Sequence, residues 1–266
     1  MSTKERLRMR LERRHSPSVN LQVKSHRDPQ VRKNAVIDCG WGRLLFAQTF
    51  EDPAELVASL CDEEANRRDI VLYVAEPHVA VSLAPQEVFL DPSHTFRLWL
   101  DRYRPAHLRA RGFTIRLMNS QTDAEAVHKL YIRRHMVPPD TGFLVGHRAS
   151  RLLTYLIAED AESGQVIGTV MGVDHKSAFG DPERGTSLWA LAVDPLASVP
   201  GIGQALVRHL AEHYEARGRA YMDLSVMHDN TQAIRLYEKL GFERVPVFAL
   251  KHKNPWNEPL FMGSDV

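Results

Sequence analysis

Apolar residues recur at three- and four-residue steps between Gly203 and Arg217. There Leu206, Val207, Leu210, Ala211 and Tyr214 predict a helix with one buried stripe, and Gly218 is placed to stop it. A second helical pattern covers Thr231–Leu240 and ends at Gly241. Further upstream, Val127, Leu130 and Tyr131 share a face. Thr122-Asp-Ala-Glu125 has the spacing of a capping box, whose two side chains satisfy the first free N–H groups of a helix. Around these helices lie β-rich runs: Phe113–Met118, Leu152–Ala158, Gln165–Val173, Ser187–Val193, Tyr221–Val226 and Val245–Leu250. Glu162-Ser163-Gly164 reads as a hairpin turn. Met136–Arg148, with Pro138, Pro139, Gly142 and Gly146, reads as a loop long enough to line a site. The order is β-α-β-β-β-α-β-α-β.

The chain before residue 104 carries a shorter pattern. Ala35–Asp38 and Arg43–Ala47 read as strands around Cys39-Gly40-Trp41-Gly42. Asp52 and Pro53 open a helix whose apolar face is Leu56, Val57 and Leu60. Asp69–Ala75 and Gln86–Leu90 read as strands, and His94–Tyr103 fits helix and strand equally. A charged break runs from Arg104-Pro105 to Arg111-Gly112. Three segments are therefore expected: an N-terminal arm over 1–34, partly disordered; a small α/β unit over 35–110; and a main domain over 112–266.

Composition narrows the class. With 44% hydrophobic and 25% charged residues among 266, wholesale disorder is excluded. Cys39 and Cys61 are too few for a disulfide framework. No apolar run approaches the ~20 residues of a membrane span, so a soluble, cytoplasmic protein with no membrane partner is expected. The arm holds ten Lys and Arg against three acids, a net +7, and with the chain at +1 the rest carries −6. No aromatic residues are interleaved with these cations, so a solvated tail is expected rather than a nucleic-acid partner.

Candidate chemistry lies in Leu191-Ala-Val-Asp-Pro-Leu-Ala-Ser-Val-Pro-Gly-Ile-Gly203-Gln-Ala-Leu. A strand ends, a loop turns, and a strong helix begins at Gly201 and Gly203. The free N–H groups of a helix's first turn, at the positive end of its dipole, make an anion site suited to phosphate. No Gly-Lys-Ser/Thr follows, so this is not a Walker loop, and Leu206 stands where the dinucleotide fingerprint requires Gly or Ala.

The partner segment is Asn230-Thr-Gln-Ala-Ile-Arg-Leu-Tyr237-Glu-Lys-Leu-Gly241-Phe242. Together the two stretches resemble the signature motifs of the GNAT acetyltransferase superfamily. The second motif matches at Asn230, Ala233, Leu236, Tyr237, Gly241 and Phe242, and the first at Gly201 and Gly203. Ser198 and Pro200 replace residues that are usually Gln or Arg in the family, which shifts the expected grip towards backbone amides. The resemblance spans about residues 113–250. It implies an α/β fold whose mixed central sheet is splayed at an acetyl-CoA site, with acetyl-CoA as cosubstrate and no metal.

By the same resemblance, the cofactor edge is Leu191, Ala192 and Val193, with backbone groups of Leu191 and Val193 pairing with the pantetheine. The cradle of the diphosphate is Val199, Pro200, Gly201, Ile202, Gly203, Gln204 and Ala205. Asn230 is expected to hold the pantetheine arm and Tyr237 to protonate the departing thiolate. The ending Phe248–Phe261 and the upstream unit resemble, more narrowly, the acetyltransferase part of bacterial N-acetylglutaminylglutamine synthetases. That implies glutamine or a glutamine dipeptide as the amine, with a ligase partner or domain and a homodimer left open. A protein amine as acceptor, or a non-catalytic acyl-CoA-binding module, are the alternatives.

Candidate general bases near strand ends are Glu159, Asp174, His175, Asp223 and His228, none distinguished by sequence. His209-Leu-Ala-Glu-His213 has the spacing of an inverted zinc motif, but its histidines lie off the apolar stripe and no third ligand is signalled, so metal hydrolysis is not expected.

Overall fold

The computed structural model describes residues 30–105, 112–255 and 257. Residues 1–29 of the basic arm, 106–111 of the expected break, and 256 and 258–261 of the tail that carried the synthetase resemblance lie outside the described residues.

In chain order the elements are β1 (Val36–Asp38), β2 (Arg43–Phe46), α1 (Pro53–Cys61), β3 (Ile70–Val74), α2 (Pro77–Leu83), β4 (Val88–Leu90), β5 (Ser93–Trp99), β6 (Phe113–Leu117), α3 (Gln121–Arg133), α4 (Thr141–Gly146), β7 (Leu153–Asp160) and β8 (Val166–Asp174). They continue with α5 (His175–Phe179), β9 (Gly185–Val193), α6 (Ile202–Ala216), β10 (Tyr221–Met227), α7 (Thr231–Lys239), β11 (Glu243–Val245) and β12 (Phe248–His252). No helix among the described residues is long and apolar enough to cross a membrane.

Two mixed sheets result, with strand orders β1-β2-β3-β12-β4 and β11-β5-β10-β9-β8-β7-β6. Helices α1 and α2 cover the outer face of the first sheet through Leu56, Leu60 and Ala80. The inner face meets the second sheet and α3 in one cluster containing Phe46, Leu72, Val127, Tyr131 and Met171. Helices α6 and α7 cover the far face of the second sheet through Leu206, Leu210, Tyr214 and Tyr237. Strand β3 is buried along its whole length, as its unbroken apolar run requires.

Hydrogen bonding crosses the expected division near residue 110 in both directions. The ambiguous segment His94–Tyr103 resolves into β5, which pairs with β10 along Tyr221–Met227, followed by a single 3₁₀ turn. Strand β12 returns to the first sheet between β3 and β4. The run expected as one strand over Val245–Leu250 is two. Pro246 cannot donate to a ladder, so β11 ends on β5 and β12 begins on β3.

Two local readings are corrected. The capping box of α3 is Ser120 with Asp123, not Thr122 with Glu125; Ser120 Oγ accepts from the Asp123 N–H at 3.0 Å. Within Met136–Arg148, expected as loop, Asp140 accepts from the N–H groups of Gly142 and Phe143 and caps the short α4.

Candidate active site

Strands β9 and β10 run parallel and paired from Gly185↔Tyr221 to Leu188↔Leu224, and then part. Each keeps its other neighbour: β9 stays on β8 to Val193↔Gly168, and β10 stays on β5 to Met227↔Ser93. A wedge therefore opens between two free strand edges. Its cause is local. The β8–β9 register shifts between Thr169 and Met171, so Ala190 and Leu191 together face Val170. Ala190 has φ +48°, and its carbonyl accepts from the Tyr131 hydroxyl at 3.2 Å. A bulge of this kind bends a strand and increases its twist, which carries β9 away from β10.

The free edge has a definite polarity. The Asp194 N–H donates to the Ile167 carbonyl at 2.8 Å. Successive residues of a strand address opposite edges, so Ala192 is engaged by β8 while Leu191 and Val193 turn their N–H and C=O groups into the wedge. The structure thus brings two of the three expected edge residues to the gap and leaves Ala192 buried.

Beyond Val193 the chain passes Asp194, which accepts from the Leu196 N–H and is paired with Arg133 at 2.5 Å. It then reaches Gly201, the N-cap of α6, at φ +87° and without a side-chain cap. The first backbone bond of the helix is from the Ala205 N–H to the Gly201 carbonyl. Ile202, Gly203 and Gln204 precede it and carry the free N–H groups of the first turn. A Cβ at Gly201 would meet nothing within 4 Å, and one at Gly203 only Val193 and Leu191 side chains at 3.7 and 4.0 Å. The bend is not plugged. Ser198 and Pro200 are exposed beside it, Val199 and Ala205 are half-buried, and the Ile202 side chain is buried. Helix α6 lies close because β8 is glycine where they touch: a Cβ at Gly168 would stand 2.7 Å from Ile202, and one at Gly172 would stand 2.5 Å from the Tyr214 hydroxyl.

Tyr237 and Asn230 come from α7, on the same face of the sheet as α6. The Tyr237 ring is buried in the cluster that holds Leu188, Leu224 and Ile202, with Leu191 and Val193 packed against it. Burial pushes its phenol up to about 12. Among the described residues its hydroxyl has no hydrogen-bond partner, and it is not one of the sealed polar atoms. Asn230 has a structural duty that the sequence reading missed: Oδ1 caps α7 by accepting from the Ala233 N–H at 3.1 Å. Its exposed amide nitrogen is what remains for a ligand.

A cavity of about 200 Å³ opens at the fork, lined by Trp189 and Ala190 of β9 and by Ser225 and Met227 of β10. Met136 and Val137, from the segment expected to line a site, form part of its wall. The first sheet and its loops add Trp41, Arg68, Ile70, Asp91 and Lys251. Sequence reasoning gave these no role, because no spacing links residues brought together from so far apart in the chain.

Of the five candidate bases, four are already engaged. Asp223 accepts two bonds of 2.7 Å from Arg97 and a third of 2.9 Å from the Tyr73 hydroxyl. Asp174 is buried between Arg217 and Arg219 and caps α5. His175 is buried with Nε2 2.9 Å from Ser187 Oγ, and burial pulls it down to about 3. Glu159 is paired with Arg116 at 2.6 Å. His228 is exposed just past β10, its ring 6.4 Å from that of His94. On α6, His209 contacts its own helix at Ala205 while Glu212 accepts from Tyr103, so the zinc-like spacing is not assembled into a common site.

Residues 124–242 match the family described as Acetyltransferase (GNAT) family. The [ribosomal protein bS18]-alanine N-acetyltransferase of Escherichia coli K12 is 29% identical over 126 residues, 47% of this chain and 78% of that protein. The Salmonella typhimurium protein of the same name is 29% identical over 128 residues, 48% and 80% of the two chains. Among solved structures, a GNAT-family acetyltransferase from Novosphingobium aromaticivorans aligns with TM-score 0.55 and 16% identity, over 88% of this chain and 95% of its own. The GCN5-related N-acetyltransferase from Sphaerobacter thermophilus aligns with TM-score 0.51 and 19% identity, over 82% and 75%. These two likenesses concern the fold, and their coverage takes in part of the first sheet. None of these names bears on the narrower resemblance to N-acetylglutaminylglutamine synthetases.

Proposed function

We propose, from the match of residues 124–242 to the GNAT acetyltransferase family, that the protein moves an acetyl group from acetyl-CoA to the α-amine of a small acceptor by direct attack. Glutamine or a glutamine dipeptide is the acceptor that the sequence resemblance suggests. The observation that supports this most is the wedge beyond Leu188 and Leu224, continuous in the chain with an uncapped, open helix N-terminus.

Each residue then has a task. The free backbone groups of Leu191 and Val193 receive the pantetheine as a neighbouring strand would. The Val193 N–H points where negative charge develops on the thioester oxygen, and a donor already in place needs no reorganisation. The N–H groups of Ile202, Gly203 and Gln204 hold the diphosphate. Asn230 Nδ2 contacts the arm, and the Tyr237 hydroxyl donates a hydrogen bond to the departing sulfur. An α-amine near ~7.8 costs ~1 kcal/mol to deprotonate at pH 7, against ~4.6 for a lysine near ~10.4. A weak base is therefore sufficient for an α-amine, and His228 at the mouth of the wedge is the one left unengaged.

Release of free thiol from acetyl-CoA in a panel of amino acids, dipeptides and peptides is the test. Turnover with α-amines supports the reading, and silence across the panel sinks it. A second reading, favoured by the name of the Escherichia coli relative, makes the acceptor a protein N-terminus. It requires turnover with an N-terminal peptide and none with free amino acids.

A further inference from the structure

The cavity at the fork carries polar groups that acetyl transfer itself does not use. Lys251 and Asp91 are 4% and 6% exposed and joined at 3.0 Å, so their charges answer each other. Arg68 is different. It stands in the same wall, makes no ion pair among the described residues, and its Nε is sealed without a hydrogen-bond partner. Glu63, the other acid in its electrostatic field, is already engaged by Asn254, His252 and the Asp69 N–H. Asp91 Oδ1 and Trp41 Nε1 are likewise sealed and unpartnered, and all three residues line this one cavity. Buried polar atoms are nearly always paired. Among the described residues the terminal Arg68 nitrogens are neither paired nor sealed, so the wall of this cavity presents a cation without a counter-ion, which suits a ligand that brings an anion.

We infer that this cavity holds the α-carboxylate of the acceptor, with Arg68 as its ionic partner and Lys251 beside it. The inference rests on the acetyltransferase reading: Trp189, Ala190, Ser225 and Met227 line the cavity and lie within three residues of the last β9–β10 pair. A molecule anchored at Arg68 therefore sits at the fork with its own α-amine. About 200 Å³ is below the ~300–1,000 Å³ of clefts for drug-sized ligands and suits an amino acid or very short peptide. A folded protein offering its N-terminus brings no carboxylate to this depth.

The test compares the twenty amino acids and glutaminylglutamine with the C-terminal amide of every acceptor that turns over, and with an alanyl hexapeptide. The wild type is expected to favour the free carboxylate over its amide on the order of 10²-fold in kcat/KM, through KM. Arg68→Gln should erase that preference by weakening the carboxylate substrate alone, and Arg68→Lys should restore part of it. Changing the substrate leaves the protein untouched, so the amide comparison stands even where a variant folds poorly. Equal use of acid and amide, or turnover of the hexapeptide alone, overturns the carboxylate site while leaving the acetyltransferase reading intact. Silence with every amine overturns both.

Discussion

Replacing Tyr237 by Phe removes one oxygen from a ring that is otherwise buried, and that oxygen bonds to no other described residue. No partner is orphaned, so stability should move by less than about 0.5 kcal/mol. The chemistry should not be so tolerant. With the phenol pushed up to about 12 by burial, the hydroxyl is protonated at any working pH and is available as a donor. An alkyl thiol lies near ~8.5, so complete transfer to the thiolate is uphill by roughly 3.5 units, about 4.8 kcal/mol at 1.36 per unit. The hydroxyl therefore acts mainly by hydrogen bonding to the departing sulfur, which places it at the lower end of the ~10²–10⁴ range for general acids. A fall in kcat of about 10²-fold, or ~2.7 kcal/mol, is expected for Tyr237→Phe. KM for acetyl-CoA should stay within about threefold and the melting temperature should be unchanged. Thiol release followed with a thiol-reactive dye, alongside a thermal melt, measures all three. A kcat within twofold of wild type would refute the assignment and favour a module that only binds the thioester carrier.

Asp223→Asn leaves Arg97 buried beside a neutral amide, a loss of about 3–5 kcal/mol; calorimetry should show a large drop in melting temperature, with turnover kept at low temperature, whereas a stable but inactive variant would return Asp223 to the list of bases. Gly201→Ala puts a methyl into the open space beside the first turn of α6 at a backbone angle of φ +87°, at a folding cost of about 1–2 kcal/mol that shifts the bend; Kd for CoA should rise at least tenfold, and an unchanged Kd would remove the cradle. His175 is held neutral in the folded protein down to about 3, against ~6.5 when unfolded. Its contribution is fully present above pH 6.5 and is lost as pH falls, because only the unfolded chain takes the proton, by about 2 kcal/mol between pH 6.5 and 5; urea unfolding should show a shallower decline for His175→Gln, and an identical pH slope would contradict the assignment.

Much of the main domain could be read from periodicity, because α6 buries a strict helical stripe, α7 turns Ala233, Leu236 and Tyr237 to the core, and β7 to β10 are bounded by turn residues. Gly201 marked the start of α6 because φ +87° at an open cap favours glycine, and Gly203 leaves the first turn free of a side chain. Other features left no trace in local sequence. The bulge at Ala190 uses a residue that ordinarily avoids positive φ, and it is maintained by pairing with β8 and by Tyr131 from another helix. Tyr73 reaches Asp223 through a similar irregularity opposite β12. The candidate bases looked alike as letters, and burial beside arginines is what separated Asp174 and Asp223 from His228. Arg68, Asp91 and Lys251 meet only because β12 crosses to the first sheet, a pairing that no spacing along the chain announces.

The most direct measurement is a pair of calorimetric titrations at one salt concentration, CoA in the first and pantetheine in the second. If the backbone nitrogens at the start of α6 grip a diphosphate, CoA should bind saturably at one site per chain and pantetheine at least a hundredfold more weakly. Equal affinities, or no heat with CoA, would contradict it.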